Sequence, residues 1–308
     1  MEPFRCEGPH CSLPRVTLHV SAPTRRQQLE RHLAAALAGT SPLPLFELLA
    51  RHGHLPAGPM NVGLLEEWGA MTADGDDELE KFLRGMGELD AEAAQGGTAY
   101  EFLPVAAVLA LGTRASRHPD RRDRLVRWLH GRADDLRFRV RESVVEALAR
   151  IGERSPEELL DRSATWMDGF FHGAAVLRAL ADDRVVDRVD DPARLVARVE
   201  SALALCDSAN RAASRYPGYK ELVATLAAVA PRLSKRFGVP VIRAFEVHAS
   251  SAKPEVRALV VSLAEATRRV GRQREDARHL FDTLEATKKK PRDPRAERGP
   301  TRRRGKKS

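Results

Sequence analysis

Aromatic residues are scarce in this sequence, at 5% overall with three Trp and three Tyr. Strands are usually stocked with aromatic and β-branched side chains, so a β-rich fold is disfavoured. Cysteine is scarcer still. Cys6, Cys11 and Cys206 are the only three. That number gives no disulfide framework and points to a reducing, cytoplasmic setting. Long apolar runs are also missing. Nothing approaches the roughly 18 uninterrupted apolar residues of a spanning helix. The best stretch, residues 222–230, is flanked by Lys220, Glu221 and Arg232, so no membrane association is expected. The opening residues, with Glu2, Pro3, Arg5 and Glu7, lack the apolar segment of a signal peptide. There is no Walker-type Gly-rich loop, no Gly-x-Ser-x-Gly elbow and no His-Glu-x-x-His. No catalytic residue, metal-ligand set or cofactor stands out, and binding is expected before catalysis.

What the chain has is Ala, Leu, Val, Arg and Glu. Four of these are strong helix formers, and a hydrophobic share of 43% with a charged share of 31% suits a folded, well-solvated protein. The net charge of +8 is unevenly spread. Residues 288–308 hold eleven basic side chains against Asp293 and Glu297, so this tail carries +9 and residues 1–287 carry −1. Pro291, Pro294, Gly299, Pro300 and Gly305 punctuate the tail, and it has no Leu, Ile, Val or aromatic residue to bury. Such a composition cannot repay the entropy of ordering, so a disordered tail is expected.

The most legible stretch is residues 134–152. Val140, Val144, Leu148 and Ile151 fall on one helical stripe. Asp134 or Asp135 could cap its start and Gly152 could end it. Upstream, residues 120–130 form a shorter amphipathic helix through Leu125, Trp128 and Leu129, with Gly131 expected to break the chain between the two. The order Asp135, Val140-Arg141, Ala147-Leu148, Ile151-Gly152 resembles the second half of a HEAT repeat, a member of the HEAT/armadillo class of helical hairpins. Val256-Arg257 followed by Val260-Val261 repeats Val140-Arg141 followed by Val144-Val145 at an offset of 116 residues. That is about three periods of the ~40-residue unit. Weaker copies lie at 102–112 and 171–180, and Leu222, Leu226, Val229 and Leu233 form another stripe. First helices are expected from Pro156, from Pro192 and over 238–248.

The resemblance implies an all-α fold, an α-solenoid of HEAT-like hairpins. It also implies that the turn residue Asp135 and the helix residue Arg141 pair in a ladder between neighbouring repeats. The chain divides into a helical N-terminal region (1–96, divergent repeats or a cap), a repeat region ending in a capping helix (97–287) and the basic tail (288–308). Candidate helices in the first part cover 24–38, 43–51, 62–71 and 74–89. The structural repeat positions are Asp135, Val140, Arg141, Leu148, Val256 and Arg257.

Four groups of residues invite a chemical reading. Cys6, His10, Cys11 and His19 offer zinc-compatible donors, but Cys6 and Cys11 have four residues between them and no second close pair follows. Arg51-His52-Gly53-His54 reads as a solvated loop. Trp166, Asp168, Phe170 and Phe171 matter because some HEAT-like proteins are alkylpurine DNA glycosylases, which set aromatics and a carboxylate in a concave cleft. Residues two apart on a helix do not share a face, so Asp168 reads more simply as the cap of the next helix. Lys288, Lys289, Lys290, Arg292, Arg302, Arg303, Arg304, Lys306 and Lys307 of the tail could engage DNA or RNA phosphates, with no aromatic to read bases. The sequence therefore reads as a scaffold or adaptor. A protein partner would sit in its concave groove, and the tail would add non-specific nucleic-acid affinity. The alternative is a HEAT-like DNA-repair or nucleic-acid-processing enzyme. An Arg- and Lys-lined groove around exposed Trp would favour the alternative.

Overall fold

A computed structural model describes residues 24–287. Fifteen α-helices and four 3-10 segments account for the regular structure among these residues, and none of them forms a strand. The first four helices are α1 (Arg25–Leu37), α2 (Leu43–His52), α3 (Val62–Met71) and α4 (Asp77–Gly87). Thr24 opens α1 with a capping box to Gln27, and Asn61 and Asp76 cap α3 and α4 through their side chains.

Next come α5 (Phe102–Arg117), α6 (Pro119–Ala133) and α7 (Phe138–Arg154). Every residue of α5 from Phe102 to Ser116 is buried, as a helix apolar on all sides must be. It lies against α3, α4, α6 and α7. Inside it, Arg114 is fully buried and donates to the carbonyls of Thr72, Ala73, Gly75 and Asp76. Its charge thereby satisfies the C-terminal end of α3 and the turn beyond, where carbonyls lack helical donors.

The chain continues through α8 (Pro156–Arg162), a 3-10 segment (Ala164–Asp168), α9 (Phe170–Leu180), α10 (Asp183–Val186) and α11 (Pro192–Ser208). It closes with α12 (Pro217–Phe237), α13 (Val239–Glu246), α14 (Pro254–Arg268) and α15 (Arg274–Thr287). Helices α5, α7, α9, α12 and α14 pack in succession as one layer. Helices α6, α11, α13 and α15 cover that layer from the side. A single apolar cluster runs from Leu29 to Leu284. Val140, Leu148, Val256 and Leu263 all lie in it.

Side-chain contacts between helices distant in sequence recur at separations of 33 to 47 residues, several of them close to 37. Arg139 pairs with Glu101 across 38 residues, Arg178 with Glu142 across 36, Arg184 with Glu146 across 38 and Arg194 with Glu157 across 37. Gln273 reaches the Ser234 carbonyl across 39 residues, and Thr283 reaches Glu246 across 37.

Four sequence expectations need correction. Neither Asp134 nor Asp135 caps α7, whose N-cap is Arg137 without a side-chain cap. Gly131 does not break the chain, because α6 runs through it to Ala133. Gly152 does not end α7, which continues to Arg154. Glycine is needed there for close approach, since a Cβ would lie 2.7 Å from Leu159 Cδ2 and 2.9 Å from Val185 Cγ1. Asp135 and Arg141 do not form a side-chain ladder. The Asp135 carboxylate holds the amide of Arg137 at 2.8 Å and its guanidinium at 2.7 and 2.8 Å. Arg141 instead donates to the Asp135 backbone carbonyl at 2.7 Å and stacks over Phe171 at 4.3 Å.

The same geometry returns 116 residues later. Arg257 donates to the carbonyl of Ser251, six residues before it, as Arg141 does to Asp135. The link to the preceding hairpin comes from Arg137, which reaches the carbonyls of Ala94 and Asp90. Its counterpart Lys253 reaches those of Ala209 and Cys206. Cys206 and Ala209 lie at the C-terminal end of α11, where the Lys253 cation satisfies orphan acceptors and complements the helix dipole, whereas Asp90 and Ala94 lie in the turn after α4.

Candidate functional site

The most chemically distinctive place among the described residues is where α6, the 3-10 segment and α9 meet. The amphipathic stripe of α6 buries Leu125 and Leu129, which leaves His130 half-buried at the layer edge. Ser163, fully buried and bonded to the Leu159 carbonyl, ends α8. The chain then turns through Ala164–Asp168, with Trp166 packed inward at 2% exposure. Gly169 is the N-cap of α9 and offers no side-chain cap. A Cβ there would lie 2.6 Å from His172 Nδ1, so glycine lets the His172 ring fold back over the start of its own helix.

These elements bring two imidazoles to one carboxylate. His130 Nε2 lies 3.2 and 3.1 Å from the two oxygens of Asp168, and His172 Nδ1 lies 2.9 Å from Oδ1. The two rings stack with centroids 3.8 Å apart, and Trp166 meets His130 edge-on at 5.0 Å. Partial burial pushes the Asp168 carboxyl up, but hydrogen bonds from His130 and His172 outweigh it and leave the group below its ordinary range. His130, Asp168 and Trp166 border a cleft of about 470 Å³, with Asp123, Val126, Arg127, Arg162 and Thr165 completing it. Arg162 is engaged by Asp123 and Glu158. Arg127 is exposed and has no ion-pair partner among the described residues. The arrangement can bind a cation through its nitrogens and carboxylate, and an anion through Arg127.

Asp168 therefore does not cap α9, contrary to the sequence expectation. Its carboxylate is held by the two histidines. Trp128 lies half-buried and donates from Nε1 to Glu88 at 2.6 Å. Phe170 and Phe171 join an aromatic group with Tyr216 and Tyr219. His52 ends α2, where its carbonyl accepts from Asn61 at 2.9 Å, and the exposed His54 follows in the loop. Burial, with Arg25 and Arg51 nearby, holds the His52 imidazole below its ordinary range. Cys6, His10, Cys11, His19 and all the tail residues from Lys288 onward lie outside the described residues.

A second groove, of about 410 Å³, runs along α5, α7 and α10. Arg150 pairs there with Glu66 and Glu146, and Arg184 with Glu146 and Asp182. Arg154 and Arg188 on its wall have no ion-pair partner among the described residues, so five arginines face three glutamates there, and no Trp lines it. Sequence reasoning had passed over His130 and His172. The readable signal was the i, i+4 spacing of Asp168 and His172, together with His130 lying 38 residues before Asp168, within the range of separations at which other helices touch. The chain matches no protein-family model and no curated protein.

Proposed function

We propose that this protein is a helical-repeat scaffold, an α-solenoid of HEAT-like hairpins that holds a macromolecular partner along its groove. On this reading the basic tail adds non-specific affinity for DNA or RNA. The observation that carries the reading is the recurrence of ion pairs and hydrogen bonds at separations of 33 to 47 residues, about one helical hairpin of chain. Such a recurrence is what stacked hairpins of similar length produce, and stacking creates an extended concave surface suited to proteins. The matching roles of Arg141 and Arg257, and of Arg137 and Lys253, support it.

The alternative, a glycosylase-like enzyme, calls for Trp side chains free to meet a base beside an available carboxylate. Trp68 and Trp166 are buried, Trp128 is tied to Glu88, and the Asp168 carboxylate is engaged by two histidines. This favours the scaffold.

The test measures duplex-DNA binding against salt for the full chain and for residues 1–287. Engaging half a dozen tail charges gives a slope of about −5 in log affinity against log salt. Truncation should flatten the slope, while immobilised 1–287 retains a protein partner after nuclease treatment. Equal affinity and slope for both chains would place nucleic-acid binding on the helical body and overturn the reading in favour of a nucleic-acid enzyme.

A further inference from the structure

The cluster of His130, Asp168 and His172 has the donor set and the spacing of a metal site. Its three ligand atoms lie within 4.8 Å of one another. The nitrogen–oxygen separations are 3.1 Å for His130 and 2.9 Å for His172. Bonds of about 2.0–2.1 Å put neighbouring donors about 2.9 Å apart at a right angle and about 3.3 Å apart at the tetrahedral angle. Both separations therefore lie on the edge of a coordination polyhedron.

Charge and chemistry agree with the geometry. With neutral imidazoles and an ionised carboxylate the cluster is −1, and it draws on two nitrogens and one oxygen. Mixed imidazole and carboxylate donors suit Zn²⁺ and its first-row neighbours, whereas Ca²⁺ and Mg²⁺ require oxygen throughout. The donors also come from three elements, α6, the 3-10 segment and α9. A metal there ties two adjacent hairpins together.

We propose that His130 Nε2, His172 Nδ1 and the Asp168 carboxylate bind one divalent transition-metal ion of the zinc class, with an open coordination position facing the cleft. Three protein donors leave at least one position for water or an exogenous ligand. Arg127 on the cleft wall, unpaired among the described residues, makes that ligand an anion. The site needs neither the tail nor a macromolecular partner, so it stands or falls apart from the scaffold reading.

The experiment uses the full chain, stripped with chelator and titrated near neutral pH with Zn²⁺ against a chromophoric competitor, and separately with Co²⁺. One equivalent should bind, with weak visible Co²⁺ bands and no intense thiolate-to-metal band in the near ultraviolet. Cys6→Ser/Cys11→Ser should bind as the parent does. Asp168→Asn, His130→Gln and His172→Gln should each weaken binding by about 100-fold, at or above the 10–100-fold that outer-shell changes cost. Circular dichroism checks that each variant is folded. The parent's own thermal midpoint supplies a second readout, independent of the variants. It should rise with Zn²⁺ concentration, because a ligand of the native state stabilises by mass action, and it should not rise with Mg²⁺. No binding by the parent chain, binding with a thiolate band that Cys6→Ser/Cys11→Ser abolishes, or undiminished binding in a folded His130→Gln/Asp168→Asn double variant would each overturn the proposal.

Discussion

Two glycine-to-alanine changes in neighbouring helices should shift stability in opposite directions. Gly112 sits on α5 where it crosses α7. A Cβ there would lie 2.4 Å from Ala147 Cβ and 2.7 Å from Ala147 Cα. Neither atom can rotate away, since one is backbone and the other is the first atom of its side chain. The helices must separate, and α5 is buried throughout while α7 is buried on the face that carries Ala147. Overpacking typically costs about 1–3 kcal/mol, and an immovable obstacle puts this site at the upper end. Alanine recovers about 1 kcal/mol through helix propensity, so Gly112→Ala should lose about 2 kcal/mol. Gly131 is the internal control. It is exposed within α6, and a Cβ would meet nothing within 4 Å. Gly131→Ala should therefore gain about 0.5–1 kcal/mol from reduced freedom of the unfolded chain. Urea unfolding followed by helical circular dichroism measures both. A neutral or stabilising Gly112→Ala would refute the close α5–α7 crossing on which the layer description depends.

Leu148→Ala, at a fully buried site, should lose about 2–5 kcal/mol in the same assay. A loss below about 1 kcal/mol would mean that the stripe on α7 faces solvent. The Asp135–Arg137 pair should make stability depend on acid. Burial pushes the Asp135 carboxyl up, yet the hydrogen bonds and charge of Arg137 hold it below its ordinary range. A depressed folded value gives stability that is complete above the unfolded pKa of about 3.9 and is lost as pH falls through the folded value. Asp135→Ala should cost about 3 kcal/mol near neutrality, and the gap to the parent should close in strong acid; a gap that is unchanged there would rule out the ion pair as its source. Cys206 is buried, and burial pushes its thiol up to about 12. In Cys6→Ser/Cys11→Ser the remaining thiol should resist an aromatic disulfide reagent until the protein unfolds; rapid labelling of the native chain would contradict that burial.

The sequence by itself determined the helices and their inward faces. The stripe of Val140, Val144, Leu148 and Ile151 is a local property of side-chain spacing, and all four are buried. The side-chain caps of Thr24 on α1 and Asp191 on α11 are equally local, each made within three residues of sequence. The repeated Val-Arg pair marked equivalent positions because equivalent positions meet equivalent neighbours. Glycine was misread at 131 and 152, because a helix tolerates glycine where packing supports it, and only the neighbouring helix shows whether a Cβ would fit. Arg141 was assigned the wrong partner for a related reason. A long guanidinium side chain reaches several acceptors, and the geometry of the turn chose a backbone carbonyl over a carboxylate. His130 and His172 lie 42 residues apart in the sequence, with nothing local to connect them. The packing of α6 against α9 brought His130, 38 residues upstream, to the local Asp168–His172 pair. Helix formation is settled within a few residues of sequence, but the donor cluster exists only where two such helices touch.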